Sequence, residues 1–225
     1  IRPSTIEDIK DRLQSTPSKA NMWLALLRIL LRLAVRLEYI PSNPAARPGR
    51  IETDPRTEIW THEDEDRFLA EARDSLKLGF ALMLYTCQRL SDTLSMSTDH
   101  ISERDGRMFI AVKQAKTSAL LDIPVHGRLR PLIEARLSEA QPGDRLVPSP
   151  RGLNWSRRNF SRAWDKTMKA AGLSGLQRRD LRRTGVVRMA EVGLSPAQIA
   201  AITGHGVDYC MAIIDTYLPR RTEVA

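Results

Sequence analysis

Residues 41–57, PSNPAARPGRIETDPRT, hold four prolines and one glycine and interrupt every periodic pattern around them. Proline fixes φ, donates no backbone hydrogen bond and pushes the residue before it into extended backbone, so no helix or central strand runs through such a stretch. The chain is therefore expected to fold as a short N-terminal part and a long C-terminal part. The boundaries read as 1–46, an extended linker at 47–57, and 58–225.

On both sides of the linker the dominant signal is helical. Residues 21–38 (NMWLALLRILLRLAVRLE) are apolar over most of a helix circumference, with Arg28, Arg32 and Arg36 four apart on one face. Such a helix packs into a small bundle and shows one basic stripe, which either tracks a polyanion or is the solvated side of a core helix. Residues 1–16 read as a shorter, weaker helix. Thr61-His62-Glu63-Asp64 resembles a capping box that opens a helix over 62–73. Its clustered acids are first-turn acids at the positive helix end rather than metal ligands. Helices are expected at 76–87 and 90–96. Residues 107–113 (RMFIAVK) and 120–125 (LLDIPV) flank the polar turn QAKTS and predict one antiparallel hairpin. Helices follow near 128–138, 155–171, 180–192 and 196–203, and a helix or turn carries 207–217. The 196–203 helix has Ser195 as N-cap, Pro196 at its first position and Gly204 at its end. The expected fold class is mainly α with a small antiparallel sheet.

The chain carries a formal net charge of +8, concentrated in one region. Between Arg151 and Ala190 there are eleven Lys/Arg against two acids, a surplus of nine, so the remainder is near neutral. A concentrated basic surface is the electrostatic footprint of a polyanion partner. Arg28, Arg32 and Arg36 interrupt the longest apolar run, which excludes a membrane span there. Two cysteines, Cys87 and Cys210, make no disulfide framework and fit a reducing cytoplasm. Neither a phosphate-binding glycine loop nor a metal-ligand cluster is present, so no cofactor or metal is expected. The chain opens on Ile1, in what reads as the middle of a helical domain, and is expected to be a fragment.

Five residues form an ordered set: Arg89, Lys116, Arg182, His205 and Tyr217. Two guanidinium groups, an ammonium and an imidazole can neutralise and protonate a phosphodiester in its transition state, and a phenol can attack its phosphorus. The local strings are Thr86-Cys87-Gln88-Arg89-Leu90-Ser91-Asp92, then Arg178-Arg179-Asp180-Leu181-Arg182-Arg183-Thr184, then Gly204-His205 with Asp215-Thr216-Tyr217 beyond it. In this order, with a hairpin lysine between the first two, they resemble the catalytic domain of the tyrosine recombinases, the phage integrase family, over about residues 58–225. Residues 1–46, closing on Tyr39-Ile40-Pro41-Ser42-Asn43-Pro44, resemble the end of that family's helical core-binding domain, which clamps DNA.

The resemblance implies a site-specific recombinase that cleaves and rejoins DNA through a 3′-phosphotyrosine, without ATP or metal. Arg89 and Arg182 match the family's two arginines. Each such preorganised donor typically contributes on the order of 3–4 kcal/mol to transition-state stabilisation. Lys116 falls where the family places the lysine that protonates the leaving 5′-oxygen, with Lys113 as the alternative donor. His205 would donate to a phosphate oxygen; His62, His100 and His126 lack such a context and read as structural. Tyr217 stands twelve residues after His205, a longer interval than many members show. Tyr209, only four residues after His205, is the competing phenol. Asp92 matches an accessory acidic position. Arg179 is a departure, because the family usually has histidine there and a guanidinium cannot accept the tyrosine's proton.

Arg28, Arg32, Arg36, Arg157, Arg158, Arg162, Arg178 and Arg183 are the candidate DNA-backbone contacts. The implied partners are double-stranded DNA and three further copies of the chain, as a homo-tetramer on DNA, with directionality or DNA-bending accessory proteins possible. The implied setting is a bacterial or phage nucleoid. A type IB topoisomerase uses the same chemistry as a monomer and is the enzymatic alternative. A non-catalytic DNA-binding regulator is the other, since residues 195–204 resemble part of a helix-turn-helix.

Overall fold

The structure, a computed structural model, describes residues 1–46, 49–53 and 56–217. It divides into two compact units, Ile1–Arg56 and one beginning at Thr57.

The first unit contains helices α1 (Pro3–Arg12) and α2 (Pro17–Arg36), each opened by a proline in its first turn. Proline is suited there because its missing N–H has no intrahelical acceptor to lose. Ile6, Leu24, Leu31 and Ala45 make the small core. Two asparagines tie the following extended segment back onto α2. Asn21 exchanges a pair of hydrogen bonds with the backbone of Ile51, at 2.8 and 2.9 Å. Asn43 donates to Arg28 O (3.0 Å) and accepts from Ala45 N (2.8 Å). The arginine stripe of α2 is not uniform: Arg28 Nε donates to Ala45 O at 2.8 Å, whereas Arg32 and Arg36 are exposed. Met22, Leu26, Ile29 and Leu30 of α2 are more than half exposed.

The second unit is helical around a three-stranded antiparallel sheet. Its helices are α3 (His62–Glu71), α4 (Asp74–Tyr85), α5 (Leu90–Ser95), α6 (Arg130–Glu139), α7 (Arg157–Ala170), α8 (Asp180–Glu191), α9 (Pro196–Thr203) and α10 (Val207–Tyr217). The expected capping box is present: Thr61 Oγ1 accepts from Asp64 N, and Asp64 Oδ2 accepts from Thr61 N, both at 3.1 Å. Ser195 and Gln198 form a second such box, and Gly204 ends α9 in the left-handed region at φ 68°.

The hairpin forms as β2 (Arg107–Lys113) and β3 (Leu120–Pro124), with Ile110 opposite Ile123 and Lys113 opposite Leu120. Met108, Ile110 and Val112 alternate inward along β2. A third strand, β1 (Ile101–Arg104), is an addition to the expected pair; it runs antiparallel to β2 through a turn at Asp105-Gly106. Both turn residues have positive φ, 50° and 71°, the requirement of a tight hairpin turn whose twist matches the strands.

The main core centres on Trp60, Phe68, Phe80, Phe160 and Trp164, with Phe68 and Trp164 ring centroids 4.3 Å apart. A second cluster, Val186, Val187, Ile199, Cys210 and Ile213, packs α8 against α9 and α10. The α8 helix thus lies between α4 on one side and α9 and α10 on the other. Among the described residues no helix is long and apolar enough to cross a membrane.

Candidate active site

The α4–α5 junction is shaped by Cys87 at φ 53°, a conformation that costs a non-glycine residue of order 1–3 kcal/mol. Its thiol is fully buried, and burial pushes its pKa up to about 12, so it is an inert packing group. Gly185 of α8 faces it: a Cβ there would overlap Cys87 Sγ and lie 2.6 Å from Leu84 O. The missing side chain lets α8 approach the junction and sets Arg182, one turn earlier, beside Arg89.

Arg89 is the N-cap residue of α5 and is half-buried. Its Nη1 donates to Gln114 Oε1 at 3.4 Å and lies 3.9 Å from Asp92 Oδ2. Asp92 is 1% exposed, and its other oxygen accepts from Ala115 N at 3.0 Å, at the start of the turn that carries Lys116. Lys116 and Lys113 both project from this end of the hairpin into solvent.

Arg182 Nη2 donates to Thr203 O at 2.8 Å. Its Nε and Nη1 are buried and have no hydrogen-bond partner among the described residues. Burial first, and then the neighbouring Arg89 charge, lower its pKa to about 10, which leaves it cationic at neutral pH. His205 follows Gly204 and completes the site, and its Nδ1 is also buried without a partner among the described residues. Burial, then Arg182 and Arg89, lower its pKa to about 3, so the imidazole is neutral. Buried polar atoms are normally paired, and Arg182 and Arg89 lie close enough to His205 for their charges to depress its pKa, so these side chains make one cationic site.

The other expected residues lie outside this pocket. Tyr217 ends α10 with its ring 5.7 Å from the Arg183 guanidinium carbon, packed on the second cluster. Burial, opposed by Arg183, raises its phenol pKa, so this placement does not activate it. Tyr209 is 54% exposed, with its ring 4.8 Å from that of His205. Arg179 is exposed at the start of α8, on the rim of an open cleft also lined by Lys169, Gln177 and Arg178.

Three of the candidate DNA contacts have structural partners. Arg28 bonds Ala45 O. Arg178 donates to Ser161 Oγ at 3.3 Å and lies 5.8 Å from the Trp164 ring. Arg183 donates to Glu58 O at 3.4 Å and pairs with Asp180 at 3.6 Å. Arg157, Arg158 and Arg162 are exposed on α7. The first two sit in the first turn of that helix, where cations oppose the macrodipole unless an anion is near. Of the histidines outside the pocket, His100 Nδ1 accepts from Ser97 N at 2.9 Å and His126 stacks on Tyr85 at 4.4 Å. Gln88, Gln114 and Thr203, which hold the pocket together, were not anticipated. None of the three bears a reactive group, and only their positions hint at them: Gln88 adjoins Arg89, Gln114 stands two residues before Lys116, and Thr203 stands two before His205.

Fold and site together define a tyrosine-recombinase catalytic domain. The Phage integrase family model matches residues 58–212, and the chain belongs to that family. No curated protein sequence matches it. Solved structures of the same fold include a lambda integrase dimer bound to a COC′ core site, with TM-score 0.82 at 18% identity, covering 100% of this chain and 67% of that one. A lambda integrase tetramer bound to a Holliday junction aligns with TM-score 0.76 at 22% identity, over 92% of this chain and 64% of that one. The Tn1549 transposon integrase in complex with circular intermediate DNA aligns with TM-score 0.74 at 13% identity, over 99% of this chain and 82% of that one. Identities this low speak for the fold alone.

Proposed function

We propose that this protein is a site-specific DNA recombinase that cleaves and rejoins double-stranded DNA through a 3′-phosphotyrosine. The observation that carries the reading is the pair Arg89–Arg182 around buried, unpartnered donors. A scissile phosphate entering there accepts from Arg182 Nε and Nη1 and from His205, and Arg89 lies on its other side. Guanidinium forks stay charged and match phosphate oxygens, which is what the growing negative charge on phosphorus requires.

In the proposed step Tyr217 Oη attacks phosphorus and the bond to the 5′-oxygen breaks. Lys116, on its exposed turn, gives the leaving oxygen its proton. The phenolic proton passes to His205, a neutral imidazole whose basicity rises once the phosphate offsets Arg89 and Arg182. Arg179 contacts the phosphate and favours the phenolate electrostatically. For this chemistry the end of α10 has to leave Arg183 and swing into the pocket, where the two guanidinium groups lower the phenol pKa instead of burial raising it.

Recombination joins two duplexes, so we infer a tetramer on DNA, an assembly that the lambda relative forms on a Holliday junction. The first unit is read as the end of a DNA-clamping domain, with Arg32 and Arg36 on phosphates, and Arg157, Arg158 and Arg162 as catalytic-unit contacts. The same strand chemistry without exchange, as in a type IB topoisomerase, remains the rival outcome of a recombination assay.

One observation favours a second nucleophile: Tyr209, not Tyr217, sits beside His205. A nicked suicide duplex, drawn from a randomised pool by covalent trapping, separates the two. Tyr217→Phe is expected to bind DNA and form no adduct, while Tyr209→Phe still forms one; the opposite pattern makes Tyr209 the nucleophile.

A further inference from the structure

Gln114 is 1% exposed, at the point where β2 gives way to the lysine-bearing turn. A glutamine amide has two N–H donors and an oxygen with two lone pairs, and all four are used. Nε2 donates to Gln88 Oε1 at 2.7 Å and to Thr203 O at 2.9 Å. Oε1 accepts from Thr117 Oγ1 at 2.7 Å and from Arg89 Nη1 at 3.4 Å. The Gln114 backbone closes the same turn, its N–H bonding Ala119 O and its carbonyl accepting from Ser118 N, both at 2.9 Å.

The contacts join three separate segments. Gln88 belongs to the α4–α5 junction, and its Nε2 also donates to Thr86 O at 2.8 Å. Thr203 closes α9, and its carbonyl is the atom that holds Arg182 Nη2. The path from Arg89 to Arg182 is therefore Gln114 and one shared carbonyl. Space is kept for the amide by Gly204, where a Cβ would lie 2.5 Å from Gln114 Nε2. A fully satisfied buried network of this kind rigidifies what it joins, and a half-satisfied one costs more than an apolar contact.

We infer that Gln114 is a positioning residue that fixes the spacing of the Arg89 and Arg182 guanidinium groups and ties the Lys116 turn to them. It is buried beneath the turn and acts through Arg89. The inference rests on the recombinase reading above. A methionine fills nearly the same volume, removes all four hydrogen bonds and leaves Gln88 Oε1 without its donor. The phosphate clamp then loses its fixed spacing while the exposed DNA-contacting arginines are untouched.

The test is a double-mutant cycle on single-turnover adduct formation, using the duplex selected by covalent trapping. Gln114→Met is expected to leave DNA affinity within about threefold and to slow adduct formation about 30-fold. In an Arg89→Lys background, where the fork contact is gone, followed long enough to read slow adduct formation, the same change is expected to cost less than about threefold. If Gln114→Met does not fold, Gln114→Asn carries the same expectation, since it keeps a neutral amide but is one methylene too short to reach Arg89 and Thr203 together. Additive losses on an active wild type, or an unchanged rate, overturn the role of Gln114 alone. A wild type that forms no adduct with any duplex overturns the recombinase reading, and this inference with it.

Discussion

Gly185→Ala tests how the two arginines are brought together. The added methyl would meet the Cys87 thiol, which is fully buried, and the carbonyl oxygen of Leu84 at 2.6 Å. Neither neighbour is the free end of a flexible side chain. Ordinary carbon contacts begin near 3.5 Å, so α8 has to retreat by about 1 Å or the junction has to distort. Overpacking of this kind costs about 1–3 kcal/mol. Alanine offsets up to about 1 kcal/mol of that through its better helix propensity. Contact with a backbone atom puts the cost at the upper end, for a net loss of about 2 kcal/mol. In a unit of this size that lowers the Tm by about 4–8 °C. The displacement also pulls Arg182 away from Arg89, and an error of 1 Å in a catalytic group can cost about 100-fold in rate. Differential scanning calorimetry and single-turnover adduct formation read the two effects. Gly127→Ala, where nothing lies within 4 Å of the added carbon, is the control and is expected to change neither. A Gly185→Ala protein with unchanged or raised Tm and full cleavage would refute the packing argument.

Two pH experiments address the charges. His205 has a folded pKa lowered to about 3, below the 6.5 of an unfolded histidine, so the unfolded chain binds more protons between those values. Stability therefore rises with pH across that window and is level above about pH 7. From pH 6.5 to pH 5 the loss, discounted for partial solvent access, is about 1 kcal/mol. Urea unfolding is expected to show that loss in wild type and a smaller one in His205→Asn; identical slopes contradict a buried neutral imidazole. Arg179→His introduces a group that titrates near neutral pH beside the proposed phosphate site. Its cleavage rate is expected to change and to acquire a new pH inflection, and an unchanged rate and profile would limit Arg179 to backbone affinity.

What could be read from the sequence was what is decided locally. The Thr61–Asp64 box, the Ser195 cap with Pro196, and the left-handed Gly204 are interactions within a few residues, and each formed where its residues stand. The β1 strand had a local signal too, since Asp105-Gly106 is a hairpin-turn pair, but Ser102-Glu103-Arg104 offers an edge strand little apolar alternation. Family order placed Arg89, Arg182 and His205, and the structure gathers them. Their proximity could not be read, because it depends on a cysteine and a glycine 98 residues apart that fit one into the other. Gln114 was equally silent: a glutamine in a polar turn reads as solvent-facing until the turn folds over Thr203. The resting place of Tyr217 against Arg183 reflects packing of α10 on Val186, Val187 and Ile199 of the two preceding helices, and periodicity alone gives no sign of it.

The most direct test is to trap wild-type protein on the nicked duplex, digest it, and identify by mass spectrometry the peptide left on the DNA and the end it is joined to. The account predicts the Tyr217 peptide on a 3′-phosphate with a free 5′-hydroxyl on the released strand. A linkage at Tyr209, a linkage to a 5′-phosphate, or DNA recovered without peptide would contradict it.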